Sequence, residues 1–560
     1  SSPTQNQVAY ATILGQKVQS DMQALDDNNF EHLWGTRSNP AYGTYGAIST
    51  SNNSDEFDAT IAEFAFHDHQ QDAENLRNLK VRDALARSTL QGIIQFLNSL
   101  PGSGVPLVFP PDAPRHVRAT HDGVGNIVLS WLAPISGGPN GGAATGYKIY
   151  RSSNGYGFGQ AVDVGNVLSA SISNIPAGVT VYLRVTAYNA GGESMPSETL
   201  AVRRAVTGKS SVLIVNGFDR VSRHLNPVQT LPGGSIERQI PREINSFDYA
   251  VQHAGSLAAS NITFDTASNE AVIDGVVSLG DYKAVVWICG RESTADKTFS
   301  TAEQSLVTSY LNAGGRIFIS GTDVGFDLQS QGGGPAFYQE TLRATWVGDN
   351  ANTFSAVGTG GIMAGVPQFS FARANGAPYV AASADRIAPG PGAINILNYV
   401  GGTGDGAAIQ YDSGIYRVVL FGFPFETIAS ASVRDNLMQR IMDFLLAGTG
   451  GCVPAQITGF EGFSIGTQAM FRQPGFTPTT AMHLELVPNL STVTNEIPGY
   501  DGVNTCKVQW QFKSADPSRW MRLTTQDVVN VPNPTINLRR PVRMRVRFES
   551  PVGASLRVTL

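Results

Sequence analysis

Arg316-Ile317-Phe318-Ile319-Ser320-Gly321-Thr322-Asp323-Val324-Gly325 opens on an apolar run with no polar alternation and ends in small residues around one acid. A run that is apolar at both odd and even positions suits a strand buried on both faces, as in a parallel sheet. Residues 302–313 before it carry a helical pattern, which Gly314-Gly315 stops. Three further runs of the same kind, Val212-Leu213-Ile214-Val215, Ala284-Val285-Val286-Trp287-Ile288 and Val418-Val419-Leu420-Phe421, and a helix over 432–446 complete the set. Residues 208–447 are therefore predicted to form a doubly wound α/β domain. Ligands of such sheets sit at the carboxyl ends of the strands, so Asp219, Arg220, Glu292, Asp323 and Glu426, each following an apolar run, are the candidate cleft residues, with His253 nearby. The glycine-rich stretch 329–414 reads as an insertion over that cleft.

Gly321-Thr322-Asp323-Val324-Gly325 has the form of a nucleophile elbow with Asp at the reactive position. In layout the domain resembles the flavodoxin-like, class I glutamine amidotransferase-like superfamily, without its cysteine. Asp323 is then either a carboxylate nucleophile or a turn residue that caps the next segment or pairs with Arg220 or Arg291.

Residues 114–205 show short alternating strands around Trp131, Tyr147–Tyr150 and Tyr182–Asn189, with glycine-rich turns, and predict a β-sandwich. The segment resembles a fibronectin type III module, which implies a spacer or binding role. Pro101-Gly102-Ser103-Gly104 and Pro110-Pro111-Asp112 make residues 101–113 a linker.

In residues 1–100, Val8, Ala11, Leu14, Val18, Met22 and Leu25 form an apolar helical stripe. Ala59–Phe66 reads as a buried strand, and a second helix, capped by Asp72, runs through Leu76, Leu85, Ile93 and Leu97. One strand cannot make a sheet, so this is an incomplete α/β segment. Glu63-Phe64-Ala65-Phe66-His67-Asp68 and Asp72-Ala73-Glu74-Asn75-Leu76-Arg77 resemble the C-terminal part of zinc-dependent N-acetylmuramoyl-L-alanine amidases. The resemblance implies that Glu63 is the general acid or base beside a zinc-bound water. The family's two histidine motifs do not occur upstream, so no zinc is expected on this chain alone. His67 and His69 share a strand face but read as a polar turn.

Residues 452–560 alternate with period two in several short runs and predict a jelly-roll-like sandwich, resembling carbohydrate-binding modules in architecture. Tyr500, Trp510 and Trp520 are either core aromatics or a platform for sugar rings, and Cys452 and Cys506 are open to disulfide pairing. Cys289, inside an apolar run, reads as a buried thiol.

The chain has 560 residues, enough for about three to five domains. Its 60 glycines and 30 prolines exceed usual levels and fit turn-rich modules. A net charge of -6 with only 15% charged residues gives no basic field for nucleic acid, and no apolar stretch is long enough to span a membrane. The start at Ser1-Ser2-Pro3-Thr4 reads as a processed terminus. The leading expectation is a processed part of a secreted bacterial cell-wall amidase, a hydrolase of peptidoglycan whose zinc-binding half is a separate partner. The alternative is an extracellular, cell-surface scaffold or glycan-binding protein without catalysis.

Overall fold

The computed structural model describes residues 4–25 and 56–447, apart from 124, 174, 206–207, 222, 239–245 and 373–376, together with strands at 491–494 and 505–508. The chain divides into two compact units, Ser1–Leu446 and Ala447–Leu560.

The first unit begins with helices α1 (Gln5–Gln23), α2 (Gln70–Arg77) and α3 (Leu79–Ser99). Thr4 and Gln7 form a capping box, each side chain taking the other's backbone N–H at 3.1 and 3.0 Å. Leu14, Val18 and Met22 of α1 pack on Val81, Ala84 and Leu85 of α3. The helices approach closely at Gly92, where a Cβ would lie 2.9 Å from Leu14 Cδ1. Three expectations are corrected here. Residues 59–66 have no regular secondary structure and pair with no strand among the described residues, and Ile61 and Phe66 are exposed. Their neighbours in the fold are helices, which have no free ladder of N–H and C=O groups to complete a strand. The second helix is broken at Asn78, whose side chain caps α3 at the Lys80 N–H, 2.9 Å. His69, not Asp72, is the cap of α2, its Nδ1 accepting from the Asp72 N–H at 3.4 Å.

A sandwich follows, built from β1 (Arg115–His121), β2 (Ile127–Leu132), β3 (Gly146–Ser152), β4 (Val162–Gly165), β5 (Ser169–Ile172), β6 (Thr180–Asn189), β7 (Gly192–Glu193) and β8 (Leu200–Arg203). One sheet has the order β1-β2-β5 and the other joins β4, β3, β6, β7 and β8, all antiparallel. Alternate residues Val117, Ala119, Leu129, Trp131, Val185 and Ala187 fill the space between them, with Trp131 and Tyr147 rings 5.3 Å apart.

The next elements are β9 (Val212–Asn216), an exposed hairpin of β10 (Val228–Leu231) and β11 (Gly234–Glu237), α4 (Ala250–Ala259), β12 (Phe264–Ser268), α5 (Asn269–Ile273), β13 (Ala284–Gly290), α6 (Ser293–Asp296), α7 (Thr301–Asn312) and β14 (Arg316–Gly321). Then come β15 (Ala344–Gly348), β16 (Ser355–Gly358), β17 (Phe369–Ser370), β18 (Arg386–Pro389), β19 (Ile394–Tyr399), β20 (Gly406–Asp412), β21 (Arg417–Phe421) and α8 (Ala431–Leu446). Five strands run parallel in the order β12-β9-β13-β14-β21. The apolar runs are continuous because both faces are covered. Ile214, Val286, Phe318 and Val419 pack beneath α4 and α8, whereas Leu213, Val285, Ile317 and Val418 pack against α5 and α7. The stretch 329–414 does more than overlie the cleft: β20, β19, β16 and β17 extend the sheet antiparallel beyond β21, and β15 pairs with β18 separately. The whole is a large mixed sheet with helices.

At its other edge the sheet continues into the sandwich. Arg118 and Ala119 of β1 pair with Ala267 and Thr266 of β12, and Arg203 of β8 pairs with Phe264. In the second unit, β22 (Ser491–Thr494) and β23 (Thr505–Val508) are antiparallel. The expected jelly-roll, Tyr500, Trp510, Trp520, Cys452 and the side chain of Cys506 lie outside the described residues. Cys289 is a buried free thiol. No helix among the described residues is long and apolar enough to cross a membrane.

Candidate functional site

Parallel pairing in register brings the carboxyl ends of β9, β13, β14 and β21 to one edge of the sheet, and the candidate residues separate there into two groups. At the first, β9 turns through Gly217 and Phe218, and the backbone N–H groups of Asp219 and Arg220 donate to Glu292 Oε1 at 2.6 and 2.8 Å. Arg220 returns its guanidinium to the Glu292 carbonyl at 3.1 Å and to Asp296 at 3.5 Å. Glu292 is 1% exposed, and burial first, then the charge of Asp219, pushes its carboxyl well above the usual range. The turn is possible because Gly290 has φ +47°, with no room for a side chain: a Cβ would stand 2.0 Å from Phe218 Cδ1.

Asp323 sits on the strand-to-helix turn after β14 with φ +61°, the strained geometry an elbow requires. Burial raises its carboxyl to about 6, opposed by a hydrogen bond from Ser293 and by the charges of Arg291 and Arg220. Arg291 donates to the Val380 carbonyl at 3.1 Å. Two residues on, the Gly325 N–H donates to Asp385 at 2.6 Å, and Trp346 Nε1 donates to the other oxygen at 3.0 Å.

The second group lies under the sheet edge. His253 Nε2 meets Glu426 Oε2 at 3.2 Å, and Tyr379 OH donates to Glu426 Oε1 at 2.5 Å. All three are enclosed, and the Phe425 ring lies 4.9 Å from the imidazole. His253 is thus the partner of Glu426 within the core. Glu292, Asp385 and Glu426 each hold donors from neighbouring segments, so these carboxylates fasten loops to the sheet edge.

Glu63 is exposed on the irregular stretch 59–66. His67 and His69 are exposed in the turn before α2. Among the described residues no group of three or more His, Cys, Asp and Glu is disposed to hold a metal ion.

Sequence reasoning missed the polar network at the seam between sandwich and sheet. His121 and Asp265 are buried, with Nδ1 and Oδ1 2.5 Å apart. The Ala205 N–H donates to His121 Nε2 at 3.1 Å, so the ring proton is on Nδ1 and points to Asp265. Ser210 Oγ and Tyr282 OH donate to the same carboxylate at 2.8 and 2.9 Å. A signal existed, since His121 continues the inward alternation of Val117 and Ala119.

Residues 112–203 match the family described as Fibronectin type III domain. This segment is a fibronectin type III domain. It is similar to the FN5 domain of Drosophila Lar, with 22% identity, coverage of 17% of this chain and 97% of that one, and a TM-score of 0.14. A larger part of the chain, 42%, aligns with 30% of the β-galactosidase of the haloarchaeon Halorubrum lacusprofundi at 14% identity and a TM-score of 0.28. A Kelch domain-containing protein of Saccharolobus solfataricus is 28% identical over 184 residues, 32% of this chain. The match spans about a quarter of that relative's length, 24%.

Proposed function

We propose that this chain is a non-catalytic scaffold of an extracellular modular protein, with the fibronectin type III domain and the α/β domain acting as one rigid spacer that presents other modules to an envelope glycan. The observation that carries the reading is the shared sheet: β1 and β8 of one domain pair with β12 of the other around the His121–Asp265 network. Modules joined only by a linker swing freely, whereas a continuous ladder fixes their angle. Binding of the full chain to purified peptidoglycan and to a panel of polysaccharides in co-sedimentation tests the glycan part. Retention on one glycan class without turnover supports it, and release of peptidoglycan fragments by the purified chain overturns the non-catalytic part.

A second reading, part of a cell-wall amidase, rests on residues 59–66. Ile61 and Phe66 are exposed on a stretch without regular secondary structure that carries Glu63. Zinc in such an enzyme supplies an acidified water; among the described residues His67 and His69 do not form a site for it with a third ligand. Zinc-dependent release of peptidoglycan that is lost in Glu63→Gln would favour this reading.

A further inference from the structure

The joint between the fibronectin domain and the mixed sheet has a single imidazole at its polar centre. The side chains of His121 on β1 and Asp265 on β12 are 1% and 3% exposed, and Nδ1 lies 2.5 Å from Oδ1. Across the ring, Nε2 accepts the N–H of Ala205 at 3.1 Å, from the connection between β8 and β9. One ring thus fastens three segments, using a donor at Nδ1 and an acceptor at Nε2, a combination that only the neutral imidazole offers. A second proton goes onto Nε2 and faces the Ala205 N–H donor to donor. Both groups then lose their partner in a closed interior, where an unmade hydrogen bond costs most.

The groups packed around the ring set the balance. Asp265 draws positive charge toward it, but that carboxylate already accepts from the His121 N–H at 3.1 Å, Ser210 Oγ at 2.8 Å and Tyr282 OH at 2.9 Å as well as from Nδ1. Ser210 Oγ also lies 2.6 Å from Nδ1. Burial first, then Asp265, pushes the Tyr282 hydroxyl well above its usual range, so it remains a donor there. Of the other charges on these elements, Lys209 pairs with Asp281 at 3.4 Å, Arg203 donates to Gly178 and Asn261, Arg204 lies beside Gly125, and Asp122 holds the turn amides of Gly125 and Asn126. Farther along β1, Arg118 and His116 face Asp274, which His116 meets at 2.5 Å nearer the surface. Protonation of His116 strengthens its pair, whereas protonation of His121 breaks a bond of the joint.

We propose that His121 makes this joint a pH-sensitive latch, closed at neutral pH and released by acid. The inference rests on the reading of the two domains as one rigid spacer and adds its regulation: stiff in neutral surroundings, jointed in acidic ones. In the open joint water accepts from Nε2, and the imidazolium forms in the ordinary histidine range near pH 6.5. The closed joint therefore binds one proton fewer than the open one. Its advantage is fully present above that range and falls by up to about tenfold for each pH unit below it.

Amide hydrogen exchange of the full chain at pH 7.5 and pH 5, with each rate divided by the intrinsic rate at that pH, tests the latch. The expected result is that amides of Ala205, β1 and β12 at the seam open about thirtyfold more often at pH 5, the ratio set by one histidine proton, while amides of β20 do not follow. His121→Gln carries a donor and an acceptor but no titratable proton, and in this variant the seam amides are expected to be equally protected at both values. Equal seam protection of the wild type at pH 7.5 and pH 5 overturns the latch alone, as does a loss that β20 shares, which is acid unfolding of the sheet. An undiminished acid response in a folded His121→Gln variant also overturns it. Where that variant does not fold, the wild-type comparison of seam with β20 decides. Seam amides unprotected already at pH 7.5 overturn the rigid-spacer reading and the latch with it.

Discussion

Asp265 shows how a single residue holds two domains. Its carboxylate accepts from the His121 N–H, His121 Nδ1, Ser210 and Tyr282. Breaking a buried ionic or strongly polar pair by removing one partner costs about 3–5 kcal/mol. Asp265→Ala is therefore expected to lower the stability of the full chain by about 3 kcal/mol in urea unfolding, with a smaller loss for Asp265→Asn. Asp323 acts in the opposite sense. Its carboxyl is raised to about 6 in the fold, above its unfolded value, so its contribution is fully present below about pH 4 and is lost as pH rises through 6. Such a rise corresponds to about 3 kcal/mol. Asn accepts the positive φ of this position and carries no charge. Asp323→Asn should therefore be more stable than wild type at pH 7 and equal to it near pH 4, as read from denaturant midpoints. At Gly290, Ala meets both a positive φ and the Phe218 ring. Gly290→Ala should lose about 2–3 kcal/mol, measured the same way.

Among the elements, the parallel strands were legible because burial on both faces writes itself as an unbroken apolar run, and Arg316–Gly321 did so plainly. The sandwich was legible through alternation, as at Thr180–Asn189. Ala59–Phe66 misled because an apolar run states a preference for burial, whereas a strand also needs a partner's backbone, which lies outside the run itself. The antiparallel extension by β16, β17, β19 and β20 was hidden by short strands with many glycines. Of the candidate site, the edge position of Asp219, Glu292 and Asp323 followed from topology. The partnership of His253 with Glu426, 173 residues apart in the chain, did not, because contact between distant segments leaves no local pattern. The seam strand β12 offers its own test. Thr266 Oγ1 accepts from the Ala201 N–H and donates to the Ala201 carbonyl. Thr266→Val preserves the shape and leaves both groups without their partner, so it should destabilise the chain by about 2 kcal/mol. Amides of β8 and β12 should lose hydrogen-exchange protection together in this variant, while those of β20 keep theirs.

Within residues 1–446 the fibronectin type III domain and the mixed sheet share one ladder. Here β12 is paired on one side to β9 and on the other to β1 and β8. Such a body transmits orientation, which is what a spacer between modules needs. The most direct test is a spin-label distance measurement on the full chain with Cys452 and Cys506 replaced by Ser and with labels at Val162→Cys and Ile415→Cys, both exposed and on opposite domains. A rigid pair of domains gives a single narrow distance distribution that stays narrow in solution at room temperature. A broad or multimodal distribution would contradict it.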